Sequence, residues 1–149
     1  MKKTEKFDTV MPLIKERFEK GESFVFKPNG VSMLPFIKGG ETSVEIEKYE
    51  GGAGMYDIVF YVREDGKHVM HRIVKMYKIA KMYTNSFGVC GDNQWWIEEV
   101  KEEQIFAIVR KVSGRQLPGN WLYLHTLPLR RFVIHVIQYL KKHMRGEKK

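Results

Sequence analysis

Three short stretches hold residue types that could do chemistry together: Ser32 in Gly30-Val31-Ser32-Met33-Leu34-Pro35, His71 in Met70-His71-Arg72-Ile73, and Asp92 in Gly91-Asp92-Asn93. A serine hydroxyl is a weak nucleophile until a base takes its proton. Imidazole, with an ordinary pKa of about 6.5, suits that task near neutral pH. A carboxylate on the far side of the ring would hold its tautomer and stabilise the imidazolium that forms. The spacings alone do not select this set, and a serine beside glycine also reads as plain turn chemistry. His68 falls at a hairpin edge and is expected to be solvated, while His125, His135 and His143 belong to a basic C-terminal segment.

The elements around these residues are mostly strands. Ser23–Lys27 reads as a strand, and Pro28-Asn29-Gly30 turns it into the serine stretch, where Pro35 favours an extended Leu34 and opposes helix. Thr42–Glu47 alternates at period two, and Gly51-Gly52-Ala53-Gly54 interrupts as a loop. Asp57–Val62 and Val69–Tyr77 are β-rich runs joined across Asp65-Gly66, a hairpin signal that places His71 in the second arm. Lys81–Cys90 reads as a further strand before the Gly-Asp-Asn loop, and Ile105–Val109 closes the sheet, with 110–112 as an extension. Phe7, Val10, Met11, Leu13, Ile14 and Phe18 predict a short amphipathic helix that Gly21 ends, with Pro12 tolerable only close to its start. The chain is thus expected to be mainly β with a helix at each end. Residues 1–112 form the principal domain, and 113–149 a linker plus an amphipathic helix packed on it or extending from it.

The serine, histidine and Gly-Asp-Asn stretches, in that order and with Asp57-Ile58-Val59-Phe60-Tyr61 between the first two, resemble the boxes of the type I signal peptidase and self-cleaving repressor superfamily of serine peptidases. The likeness runs from about Phe24 to Val112. It implies a coiled, barrel-like β-sheet, with Ser32 as nucleophile and His71 as general base, the histidine variant belonging to the endoplasmic-reticulum and archaeal kind. It further implies Asp92 as the acid that orients His71 or shapes the site. Gly30, Met33, Pro35 and Arg72, the neighbours of these residues, are expected to contact substrate, although Arg72 also suits pairing with a carboxylate from another strand. The chain departs from the pattern at Gly39-Gly40-Glu41, where an acid is displaced, and at Glu98 and Glu99, where the late acid has no clear position.

A single cysteine, Cys90, excludes an intramolecular disulfide and reads as a small core residue; no Cys/His cluster suggests a metal, and no cofactor is expected. Trp95-Trp96 is expected to cover the sheet. No apolar run reaches the length of a membrane span, and a cytoplasmic location is expected. Of the formal charge of +8, residues 110–149 supply +9 through ten Lys/Arg against Glu147, so an electrostatic partner belongs there. With Trp121, Tyr123 and Phe132 interleaved among Arg130, Arg131, Lys141 and Lys142, residues 121–145 suit an anionic membrane surface better than nucleic acid, or else an intramolecular cover. The function expected is a soluble endopeptidase that removes a leader or propeptide from a peptide or small protein. A catalytically silent peptide-binding module and a self-cleaving regulatory domain are the alternatives.

Overall fold

The computed structural model describes residues 7–77, 85–116 and 121–146. It is mainly β, an antiparallel sheet with a helix before and after it. The elements are α1 (Phe7–Glu19), β1 (Phe24–Phe26), β2 (Val44–Lys48), β3 (Ile58–Val62), β4 (His68–Tyr77), β5 (Ser86–Cys90), β6 (Glu98–Lys101), β7 (Ile105–Val112), β8 (Arg115–Gln116) and α2 (Trp121–Gly146). The strands run β1-β2-β7-β3-β4-β5-β6, with β8 pairing on β7.

The central strands are apolar on both sides, so they read as continuous runs rather than alternations. In β3, Ile58 and Phe60 join one core with Met33, Ile37, Met70 and Val109, whereas Val59 and Tyr61 join a second with Ile73, Val89 and Ile108. Helix α1 closes the first core through Val10 and Ile14. It ends at Gly21, whose φ of +70° only glycine adopts without strain.

Several details differ from the sequence reading. Pro12 lies well inside α1, where the backbone hydrogen bond it cannot donate would have gone to the carbonyl of exposed Asp8, which water can serve. β7 does not close the sheet; it lies between β2 and β3, as suits a strand with five buried residues. The turn at Ser113-Gly114 is a hairpin into β8, so the sheet continues past residue 112. Strand β6 carries only one apolar buried residue, Val100, and gave no periodic signal. Residues 81–84 of the expected fifth strand and 117–119 of the expected linker lie outside the described residues.

Candidate functional site

The serine loop is anchored at both ends. Gly30 has φ +99°, and Gly39 packs so closely on it that a Cβ at 39 would lie 2.3 Å from the Gly30 carbonyl oxygen. Downstream, Met33 and Ile37 are buried, residues 32–36 form a turn, and the Leu34–Pro35 bond is cis. The Asn93 backbone N–H donates to the Ser32 carbonyl at 2.8 Å, and the Asn93 side-chain amide donates to the Val31 carbonyl at 3.1 Å. Gly91 completes the contact, since a Cβ there would come within 2.6 Å of the Ser32 oxygen. Gly91 follows Cys90, which pairs with Arg72 across β4 and β5. The serine loop therefore sits at the end of the strand pair that carries His71.

Ser32 forms part of the wall of a cleft of about 230 Å³ that also includes Phe7, Phe26, Phe60, His68 and Met70. Among the described residues, neither the Ser32 hydroxyl nor its backbone N–H has a hydrogen-bond partner, His71 included. Gly30 and Met33 line the same cleft, whereas Pro35 lines a separate groove with Asn93 and Leu129.

Strand register explains where His71 points. Directly paired residues share a face, as do residues two apart on one strand. His71 pairs with Val59, and Ile73 with Val89, which in turn pairs with Glu98. Tyr61, His71 and Glu98 thus fall on one face. The Tyr61 hydroxyl donates to Glu98 Oε2 at 2.9 Å and lies 3.0 Å from His71 Nδ1. Arg63 grips Glu98 through two bonds, Nε to Oε1 at 2.7 Å and Nη2 to Oε2 at 2.6 Å. Burial works to raise the Glu98 pKa, but the bonds from Arg63 and Tyr61 outweigh it and leave the carboxyl below its usual range. An ionised carboxylate only accepts, so the single tyrosine proton goes to Glu98 and the tyrosine oxygen must accept from His71 Nδ1–H. That fixes the tautomer and leaves a lone pair on Nε2, the nitrogen a general base would use.

His71 is 2% exposed. Burial above all, helped by the nearby Arg63 cation, lowers its pKa to about 4. An unfolded histidine takes its proton at about pH 6.5, so between the two values the unfolded state binds more protons and stability falls as pH drops. About 2 kcal/mol should be lost between roughly pH 6.5 and 5, before most carboxylates titrate. Urea denaturation at those two pH values is expected to show this loss in the wild type and a flatter response in His71→Asn.

Asp92 does not take the place expected of it on the imidazole. Its carboxylate, 1% exposed, holds Arg72 in a two-bond pair, Nε to Oδ1 at 2.9 Å and Nη2 to Oδ2 at 2.8 Å. Arg72 also donates to the Tyr56 carbonyl at 3.0 Å and stacks over Phe36 at 5.0 Å. Alternation sends Arg72 to the face opposite His71, so it is an internal clamp and not the substrate contact expected. The sequence reading assigns no role to Tyr61 or Arg63 and names Glu98 only beside Glu99, as a late acid without a clear position. The sequence signal for Glu98 was its position after the Gly-Asp-Asn loop, obscured by the lack of any visible strand there.

Two further expectations change. His68 is half-buried; its Nδ1 meets Asp8 at 3.1 Å, its ring packs on Phe7 at 5.0 Å, and it lines the Ser32 cleft, which His71 does not. Trp95 and Trp96 remain substantially exposed, although Trp95 is met by α2. Cys90 is buried, and burial pushes its thiol pKa up, which suits a core residue. Comparison with protein-family models, curated proteins and solved structures finds no match.

Proposed function

We propose that this chain is a serine endopeptidase of the signal-peptidase-like kind, with Ser32 as nucleophile and His71 as general base. What carries the reading is a serine at the wall of a cleft whose hydroxyl and N–H have no hydrogen-bond partner among the described residues. Its loop is tied to the Gly91–Asn93 turn beside the histidine strand. Ser32 Oγ attacks the scissile carbonyl while its proton passes to His71 Nε2, and the Ser32 N–H donates to the developing oxyanion. The imidazolium then protonates the leaving amine, and water activated by the same nitrogen hydrolyses the acyl-enzyme. His71 lies on the face of β4 opposite Met70, which lines the Ser32 cleft, so on this reading the serine loop must move around the edge of β4 when substrate is held for Ser32 and His71 to engage. An extended leader or propeptide would dock along a strand edge. On this reading the sheet is the coiled, barrel-like one of that superfamily, and the enzyme works in the cytoplasm at or near a membrane.

A second reading has a specific observation behind it. His71 is nearly sealed and makes no hydrogen bond to Ser32, as in a silent peptide-binding module on the same fold. Mass spectrometry of a mixed peptide library incubated with wild type and with Ser32→Ala separates the two. Cuts at a shared sequence rule, absent from the variant, are expected. Peptides bound equally by both proteins and left uncut would establish the binding module instead.

A further inference from the structure

Helix α2 presents its apolar stripe away from the sheet. Its body side is marked by Arg131, which donates from Nη2 to the Trp95 carbonyl at 2.8 Å, and by His135, whose ring stands edge-on to Trp95 at 4.4 Å. Leu129, Phe132, Val133, Val136, Ile137 and Leu140 recur at three- and four-residue spacings on the other side, where Leu129 and Val133 also border an open groove with Leu34, Pro35 and Asn93. All are exposed, Leu129 and Phe132 each by 64%. A stripe of this kind normally faces a core. Here the core has turned its back on it.

Charge selects the occupant. Trp121–Gly146 contains no aspartate or glutamate, while Arg130 and Lys141, three turns apart, follow one border of the stripe and Lys142 lies on the polar side. A second copy packed stripe to stripe would set these cations against their own kind, with no acid on the helix to relieve them. A bilayer rich in anionic lipid meets both demands at once, acyl chains for the stripe and phosphates for the cations. No helix among the described residues is long and apolar enough to cross a membrane, so α2 would lie in the interface plane. We propose that α2 binds anionic membrane surfaces through this face. Trp121 and Tyr123 fall outside the described side chains. Membrane binding by α2 does not depend on the role of Ser32.

The test is flotation of the full chain with phosphatidylcholine vesicles containing about 30% phosphatidylglycerol, against phosphatidylcholine alone. Most of the protein is expected to float with the anionic vesicles. Partitioning should weaken at least about tenfold without the anionic lipid or in roughly 0.5 M salt. Phe132→Asp with Leu140→Asp should lose binding to a similar degree; both sites are exposed, and an unchanged melting curve confirms the fold. Lys141→Glu with Lys142→Glu provides a second variant that spares the stripe and should also bind less. Wild type remaining at the bottom with anionic vesicles overturns the proposal. So does unchanged flotation of the stripe variant, or a dimer in sedimentation velocity that the stripe substitutions dissolve while vesicles go unbound.

Discussion

His71→Ala is expected to lower kcat/KM for peptide cleavage by about a thousandfold, and Tyr61→Phe by roughly ten- to a hundredfold, with melting behaviour of the phenylalanine variant close to wild type. The two effects differ because the residues do different jobs. On the proposed mechanism His71 moves the proton, and Tyr61 acts only by holding Nδ1–H in place. Phenylalanine keeps the packing at position 61 but removes the oxygen that accepts from Nδ1 and the proton given to Glu98. Nothing then prevents the proton from residing on Nε2, where it makes the ring useless as a base. Glu98→Gln should resemble Tyr61→Phe, because a neutral amide no longer commits the tyrosine proton and also frees Arg63. A merely structural role for Tyr61 would move KM or stability and leave kcat alone. His68→Ala is the control that matters most, since His68, and not His71, lines the Ser32 cleft, with Asp8 on its Nδ1. If that variant loses turnover and His71→Ala retains it, the base has been assigned to the wrong histidine.

The wall of the cleft and the strand bearing His71 were legible because turn chemistry and hairpin signals are local. Gly30, Pro35 and the Asp65-Gly66 turn each dictate backbone within a few residues of themselves. What escaped was set by register between distant strands. Glu98 reaches Tyr61 only because β6 pairs with β5 at Val89, and β6 has almost no apolar alternation to announce it. The same limit governs Asp92. Sequence placed an acid after a glycine beside the histidine strand, which is correct, but period-two alternation decides whether it meets residue 71 or residue 72. The outward stripe of α2 was also out of reach. Amphipathic spacing says that one face is apolar; the contacts of Arg131 and His135 with Trp95 say which way it points.

The Arg72–Asp92 pair yields the largest expected loss of stability. Both groups are nearly sealed from water, at 3% and 1% exposed. Removing one charge takes from the other its two-bond partner in a low-dielectric interior, a change that costs about 3–5 kcal/mol. For a chain of this size that corresponds to a fall in melting temperature of roughly 10 °C, readable by circular dichroism. Arg72→Ala should be at least as damaging as Asp92→Ala, because it also empties the stack over Phe36 and releases the Tyr56 carbonyl. Replacing both by apolar residues, Arg72→Met with Asp92→Leu, should recover much of the loss, since neither charge is then left alone. The pair is expected to matter for turnover only through the fold. Asp92 lies one residue from Asn93, whose N–H holds the Ser32 carbonyl, so loosening the clamp loosens the serine loop. Activity per folded molecule in Asp92→Ala, measured well below its melting temperature, should therefore show a changed KM and a kcat that falls far less than in His71→Ala. An Asp92→Ala protein that melts like the wild type yet has lost kcat to the same degree would return Asp92 to the catalytic set and remove Glu98 from it.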